Sequence, residues 1–436
     1  MRRKVSLLMA AVCLIGLLAG CRSKPATTFI IGDEGQKELP LVTMLIDPGV
    51  SMESTGFIQF LKTVPGHDRE FHVEMEMLPQ GADGVVRRQR LQRVRTEIMA
   101  GKGPDIFICE NYNTVTVDVR ELGGDMAEGG LFKYPYGVMD NHLLLPLDKY
   151  IENAQYMDFG QLEPKVMAAG RNDEGQQILP LTFDFYAAAY VPSSYGLPQE
   201  RPKTRREMLD SGCARLDIAA KGIYGDTLLD YFPDMVDWDE ETLNFTEDEL
   251  TERTLDYWDA SQKRLSGEYV FAGDRDDGAM LLSQYLMRFQ PYEGTILAPE
   301  YNKDGGVSAY VTNFAAINRN TKYPDYAFAV LDKLLSKEEQ NMPRIYKSSF
   351  RTGLPVYTGA TGDAPALGGG TLPEHLAKQY GELLEMVDDV RFLNMLDNEM
   401  VRSVKPVCEK PGSTQEDVEK AAREAYRAMQ MMLAES

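Results

Sequence analysis

The chain is poor in the residues from which most metal centres are built. Its four histidines, His67, His72, His142 and His375, are scattered, so no metal-ligand spacing can be read from them. Of five cysteines, Cys13 and Cys21 lie near the amino terminus. The other three, Cys109, Cys213 and Cys408, are too widely separated for a disulfide framework or a zinc site. No metal and no cofactor is expected. Gly-x-Ser-x-Gly, His-Glu-x-x-His and phosphate-loop patterns are absent, as is any internal repeat. Positive charge is in deficit: 46 Lys and Arg against 67 Asp and Glu leave a formal net charge of −21. Such a surface repels phosphates and argues against a nucleic-acid partner. After one apolar run at the start, no second stretch is long enough to span a membrane.

At 436 residues the chain exceeds one modest core and suits two lobes of ordinary domain size. About a quarter of the residues are charged, as in soluble globular proteins. The opening residues stand apart. Arg2-Arg3-Lys4 is a basic start, Leu7 to Leu18 is an apolar run too short for a comfortable permanent span, and Leu18-Ala19-Gly20-Cys21 follows. Residues 1–20 therefore read as a secretory signal peptide. The Leu-Ala-Gly-Cys ending resembles the bacterial lipobox, which implies cleavage before Cys21 and a lipid anchor (diacylglycerol and palmitate-type acyl chains) on its sulfur. A non-lipidated secretory signal is the alternative. Residues 21–37, with Ser, Pro, Thr and Gly, read as a tether holding the folded body off the membrane.

The body is organised around the stretch 95–109. Leu91, Val94 and Ile98 repeat at helical spacing over a helix expected from 83 to 100, and Gly101 stands where a helix end needs positive φ. Pro104 bars continuation, and Ile106-Phe107-Ile108 is right for a short central strand closed by the small hydrophobe Cys109. Before this, 41–46 and the alternating 71–77 read as strands, with a helix over 56–64 between them. Strand, helix, strand, helix, strand is the doubly wound α/β pattern, in which ligands bind just beyond the carboxyl ends of the strands. The long helix carries Arg87, Arg88, Arg90, Arg93 and Arg95 on an otherwise acidic protein, a pattern read first as a solvated face.

Met99-Ala100-Gly101-Lys102-Gly103-Pro104-Asp105-Ile106 resembles the Ala-Gly-x-x-Pro-Asp-apolar segment of the extracellular solute-binding proteins of family 1, in particular the sugar-binding lipoproteins of ATP-driven (ABC) importers. Leu143-Leu-Leu-Pro-Leu-Asp148, Leu334-Leu-Ser-Lys-Glu-Glu-Gln340 and the closing helix through Val418, Ala421, Ala425, Met429 and Met432 extend the likeness, though it is diffuse between His142 and Arg275. The resemblance implies a two-lobed, type II periplasmic-binding-protein-like α/β fold, each lobe a sheet flanked by helices, joined by crossing hinge strands. Lobe 1 would comprise 38–183 and 312–353, and lobe 2 184–311 and 354–436. The crossings would be 177–191, the returning strand pair of 305–317, and Gly353-Leu-Pro-Val356. Pro180 fits an edge or a strand start. Two capping boxes are read, Thr246 with Glu249 and Ser413 with Glu416. Trp238 and Trp258 are read as packing residues. Within 278–287, Met280, Leu281 and Gln284 fit one helix face, with Tyr285 within reach of a ligand.

The candidate ligand-binding residues are Asp47, Asn111, Tyr112, Asp184, Tyr186 and Tyr285, with Gln284 and Phe185 near them. Rings stack on sugar C–H faces while carboxylates and amides exchange hydrogen bonds with hydroxyls. The leading expectation is a non-enzymatic, monomeric, lipid-anchored protein on the extracellular or periplasmic side of the cell membrane, passing a carbohydrate to permease subunits. The arginine-rich helix would then be a candidate permease patch. Polyols and peptides stay open as solutes. Two alternatives stand beside it: a secreted glycoside hydrolase pairing Asp184 with Glu110, and a surface sensor that hands its signal to a receptor kinase.

Overall fold

The computed structural model describes residues 28–31, 39–47, 54–79, 84–111, 130–192, 198–222, 229–238, 240–269, 279–282, 294–340, 353–357 and 374–434. The signal peptide, Cys21 and most of the tether lie outside them, as do Tyr112, Gln284 and Tyr285. No described helix is long and apolar enough to cross a membrane.

The first half runs β1 (Thr28–Ile31), β2 (Leu41–Asp47), α1 (Ser54–Leu61), β3 (His72–Met77), α2 (Gly84–Met99) and β4 (Ile106–Glu110). Strand β2 pairs in parallel with both β3 and β4, as the doubly wound pattern requires. Leu91, Val94 and Ile98 are buried on one face of α2, each contributing about 1.5–3 kcal/mol of apolar burial. The helix ends where expected. Gly101 adopts φ +70°, and the amides of Gly101 and Lys102 donate to the carbonyls of Ile98 and Glu97, closing the last turn.

Three of the five arginines of α2 tie the helix to other elements, while Arg88 and Arg93 are exposed. Arg87 pairs with Asp47, Arg90 with Glu76 and Arg93 with Glu97, while Arg95 donates to the carbonyls of Gly130 and Leu131. What reads as a basic stripe is thus largely a set of ties to β2, β3 and the 130–131 turn.

Next come α3 (Pro135–Asp140), α4 (Asp148–Ile151), α5 (Pro164–Ala168), β5 (Ile178–Asp184) and β6 (Tyr186–Tyr190). The expected crossing is visible here. Strand β5 belongs to the large sheet, whereas β6, one residue later, lies in a three-stranded sheet between β7 (Ala279–Leu281) and β8 (Ile296–Pro299). Pro180 pairs with Phe314 in the ladder to the long strand 307–317, where the register shifts beside it, and the short outer neighbour of β5 reaches only Thr182 and Phe183.

Helix α6 (Arg205–Asp210), α7 (Ala214–Lys221) and α8 (Glu247–Leu265) belong to the second half, followed by β9 (Val307–Ile317), α9 (Pro324–Leu334), β10 (Leu354–Pro355), α10 (Glu374–Met386), β11 (Val387–Phe392), α11 (Met395–Cys408) and α12 (Gln415–Leu433). The main core lies around the large sheet. A second, helical core gathers α8, α11 and α12 through residues such as Leu250, Val404 and Met429. Cys109 and Cys408 are buried and unbridged.

Three local expectations change. Residues Ala279–Leu281 form a strand, because they pair antiparallel with Tyr186–Ala188; a partner ninety residues away in the chain overrides the helical spacing. Within 305–317, Val307–Ile317 is one continuous strand of 11 residues rather than a pair. On one edge its neighbour changes from β11 at Val307–Val311 to β4 at Asn313–Ile317, while β5 runs along the other edge with register shifts between Val311 and Phe314. The last capping box belongs to Thr414 and Asp417, one residue later than read, and Ser413 instead accepts a hydrogen bond from the Trp258 indole at 2.9 Å. Leu433, not Met432, accordingly closes the buried face of α12. The Thr246–Glu249 box forms as expected.

Candidate functional site

The site builds outward from the middle of β9. Tyr310 lies opposite Asp184 of β5 on one side and Arg391 of β11 on the other. Asn111, just past β4, donates its amide to the carbonyl of Val311 at 2.9 Å, and its backbone N–H donates to the carbonyl of Thr312 at 2.7 Å. The Tyr186 ring meets Tyr310 edge-on at 6.4 Å. Asp184 is fully buried, accepting from the Phe185 N–H at 3.0 Å. The third crossing packs onto the same region: Gly353 has φ +106°, and a Cβ there would fall 2.2 Å from the Thr312 hydroxyl oxygen. Only glycine admits that approach.

Three predicted residues, Asn111, Asp184 and Tyr186, thus meet around Tyr310 and its neighbours. Asp47 stands at the same end of the sheet but is engaged elsewhere. It is fully buried, with Oδ1 accepting from the Arg87 guanidinium at 2.8 Å and Oδ2 from the Leu131 N–H at 2.6 Å. Glu110 is also buried, opposite Asn313. Tyr112 and Tyr285 lie outside the described residues.

A row of aromatic side chains, not anticipated from the sequence, runs from this point across the boundary between the two cores. Phe314 meets Phe392 at 5.3 Å, Phe392 meets Tyr136 at 5.5 Å, and Tyr136 meets Trp238 at 5.6 Å. Tyr134 reaches Trp238 at 6.1 Å. Tyr136 packs on the sheet core, whereas Tyr134 and Trp238 pack on the helical one. All three are half-buried, so the seam between the cores is lined by rings that are not fully enclosed. Trp258 packs against the same helical core, so both tryptophans are packing residues, as expected.

Beneath the rings lies a buried charge network. Arg391 donates to both oxygens of Asp397, at 3.0 and 2.8 Å, and to Asp230 at 3.2 Å. Burial works against its charge, but the Asp397 and Asp230 carboxylates outweigh that effect and push its pKa up. The Arg391 guanidinium also stands 5.1 Å from the centre of the Tyr310 ring. Burial raises the pKa of Asp389, on the same face of β11, and raises that of Tyr136 as well, with Asp389 adding to the latter shift. The Tyr310 hydroxyl, Arg391 Nε and Asp389 Oδ2 have no hydrogen-bond partner among the described residues. No group of His, Cys, Asp and Glu fit for a metal occurs among the described residues.

Two residues here had a readable local signal: Lys133-Tyr134-Pro135-Tyr136 is an aromatic pair about a proline, which occupies the first turn of α3. Arg391 and Phe392 had none, since their meaning depends on which strand lies beside them.

No protein-family model matches the chain, and no curated protein matches it in sequence. Solved structures do match. The extracellular solute-binding protein family 1 from Alicyclobacillus acidocaldarius aligns with a TM-score of 0.60 at 16% identity, over 90% of this chain and 99% of that one. The sugar-binding protein MalE from Xanthomonas citri aligns at 0.57 and 16% identity, over 91% and 98%. A de novo designed cysteine esterase aligns at 0.59 and 15% identity, over 91% and 99%. At such identities the likeness is one of backbone architecture. The chain has the two-lobed α/β fold of the extracellular solute-binding proteins.

Proposed function

We propose that the protein is a non-enzymatic solute-binding protein that captures a small carbohydrate or oligosaccharide between its lobes and passes it intact to an import permease. The observation that carries this reading is the aromatic seam: Tyr134, Tyr136 and Trp238 meet where two separate cores face one another, over buried polar groups on β9 and β11. Rings of that kind stack on the C–H faces of sugars. The sugar-binding neighbour supports the same solute class. Two lobes joined by the β5–β6 crossing and by β9 supply a hinge, and a ligand touching both lobes stabilises the closed state through its differential contacts.

The lobe boundaries proposed are 38–183 with 312–353, and 184–311 with 354–436. Attachment to the outer face of the membrane through Cys21, action as a monomer and delivery to permease subunits complete the proposal, on the strength of the Leu-Ala-Gly-Cys segment and the fold. The hydrolase reading is less favoured because Asp184 and Glu110 are buried on strands either side of β9, away from a position where water and a glycosidic bond would both reach them.

The test is thermal unfolding of the full-length protein with a panel of oligosaccharides, polyols and short peptides, followed by mass analysis of the recovered solute. One class of oligosaccharide raises the midpoint and is recovered unchanged. Cleavage of that solute supports the hydrolase, and stabilisation by peptides alone replaces the carbohydrate reading.

A further inference from the structure

On the outer side of the sheet core, sharing no residue with the seam, a depression of about 770 Å³ opens between the 62–70 turn, the stretch after α4 and helix α9. Small-molecule sites commonly occupy about 300–1,000 Å³. Phe328, only 6% exposed, lies at its base with the Tyr150 ring 5.4 Å away. Its wall is Tyr156, which is 42% exposed. The Lys333 ammonium sits 5.4 Å from the Tyr156 ring centre and belongs to a nearly buried side chain paired with Glu338. One face of the tyrosine is therefore backed by the protein while the ring remains open to solvent.

The segment carrying Tyr156 is fixed by a single carboxylate. Asp332, 4% exposed, accepts from the backbone N–H groups of Gln155, Tyr156 and Met157 at 2.9, 3.0 and 2.7 Å. Three charge-assisted hydrogen bonds hold an exposed aromatic residue in one place. Ordering a surface loop costs conformational entropy that an exposed ring does not return by its own packing. A ligand wall benefits from that ordering, because the cost of fixing it falls before binding rather than during it.

The chemistry of the rim narrows the ligand. Exposed groups of both signs and neutral amides surround the ring: the Glu70 and Asp325 carboxylates, the Lys149 ammonium, and Asn153 and Gln155. A cationic ligand is disfavoured, because Lys149 and Lys333 already present ammonium groups to Tyr150 and Tyr156, at 4.6 and 5.4 Å. An anion would face Glu70 and Asp325. A neutral molecule with one apolar C–H face and many hydroxyls meets a complement on every side.

We propose that this depression is a second carbohydrate-binding site, independent of the seam, in which Tyr156 stacks on a sugar ring and Glu70 and Asp325 accept from its hydroxyls. It rests on none of the residues that carry the proposed function.

The experiment places 3-fluorotyrosine at position 156 of the full-length protein and follows its ¹⁹F resonance during titration with maltotriose, cellotriose, xylotriose and mannotriose, with spermidine and inorganic phosphate as charged comparisons. The resonance moves saturably with at least one trisaccharide. Glu70→Gln and Asp325→Asn each weaken that binding by about tenfold, the scale of one lost charge-assisted hydrogen bond. Trp238→Ala, in the seam, leaves it unchanged. The proposal is overturned if none of the four sugars moves the resonance, if only spermidine or phosphate does, if both carboxylate variants titrate like the parent, or if Trp238→Ala abolishes the effect. Both carboxylates are exposed, so neither variant threatens folding.

Discussion

Replacing Asp47 by alanine separates a structural carboxylate from a ligand-binding one. Asp47 is fully buried and Arg87 only 2% exposed, with 2.8 Å between their charged atoms. Truncation takes away the guanidinium's buried counter-charge and leaves its hydrogen bond to the Pro79 carbonyl, and breaking a buried pair from one side costs about 3–5 kcal/mol. The N–H of Leu131 loses its acceptor too, adding about 1–3 kcal/mol where it stays dry. The two losses share one site and do not simply add, so a total of about 4–6 kcal/mol is expected, a large part of a typical net stability of about 5–15 kcal/mol. Urea unfolding followed by tryptophan fluorescence and circular dichroism measures it as a fall in midpoint. The double variant Asp47→Leu with Arg87→Met removes both charges together and recovers most of the loss, leaving about 1–3 kcal/mol for the Leu131 N–H. If Asp47→Ala unfolds at the parent's urea concentration yet no longer binds its solute, the carboxylate serves the ligand and the structural account of it is wrong.

Other consequences concern the helix caps, the buried aspartate of β11 and the seam. Thr414→Ala removes the side-chain acceptor for the Asp417 N–H and lowers stability by about 1 kcal/mol, read from the same urea curves, whereas Ser413→Ala, outside the box, leaves α12 capped. Burial raises the pKa of Asp389 in the folded state, so its contribution to stability is complete below the ordinary aspartate value and is lost as pH rises through the raised one. Asp389→Asn therefore flattens the stability profile across that interval and unfolds at higher urea than the parent at neutral pH. Trp238→Ala weakens solute binding by about tenfold, or ~1.4 kcal/mol, in calorimetric titration without lowering the urea midpoint by a comparable amount.

Much of the sheet core was legible because its signals are local. The 95–109 stretch carries its own stop, turn and strand within fifteen residues, and Gly101 and Pro104 leave the chain little choice. The crossing at Asp184 and Tyr186 came from the likeness of 177–191 to a family segment, with Pro180 as its local mark. Where reading failed, the deciding partner was distant or the local pattern was degenerate. Ala279–Leu281 has the spacing of a helix and becomes a strand only because Tyr186–Ala188 lies beside it. Ser413 and Thr414 are both capping residues, followed by acidic Glu416 and Asp417, so the pattern fits at two registers one residue apart, and the Trp258 indole claims the first hydroxyl. Asp47 follows the rule that strand ends face a ligand, yet Arg87, forty positions later, takes its carboxylate. Of the seam only the Tyr134-Pro135-Tyr136 pair is marked locally, because Tyr136, Trp238 and Phe392 share no periodicity and meet only once two cores have formed.

The most direct test of capture between two lobes is small-angle X-ray scattering of the full-length protein, with and without the oligosaccharide that stabilises it most. Closure of the lobes over an intact solute predicts a smaller radius of gyration in the complex, lost in Trp238→Ala at the same sugar concentration. An unchanged radius at full occupancy, or recovery of a cleaved sugar from the sample, would contradict it.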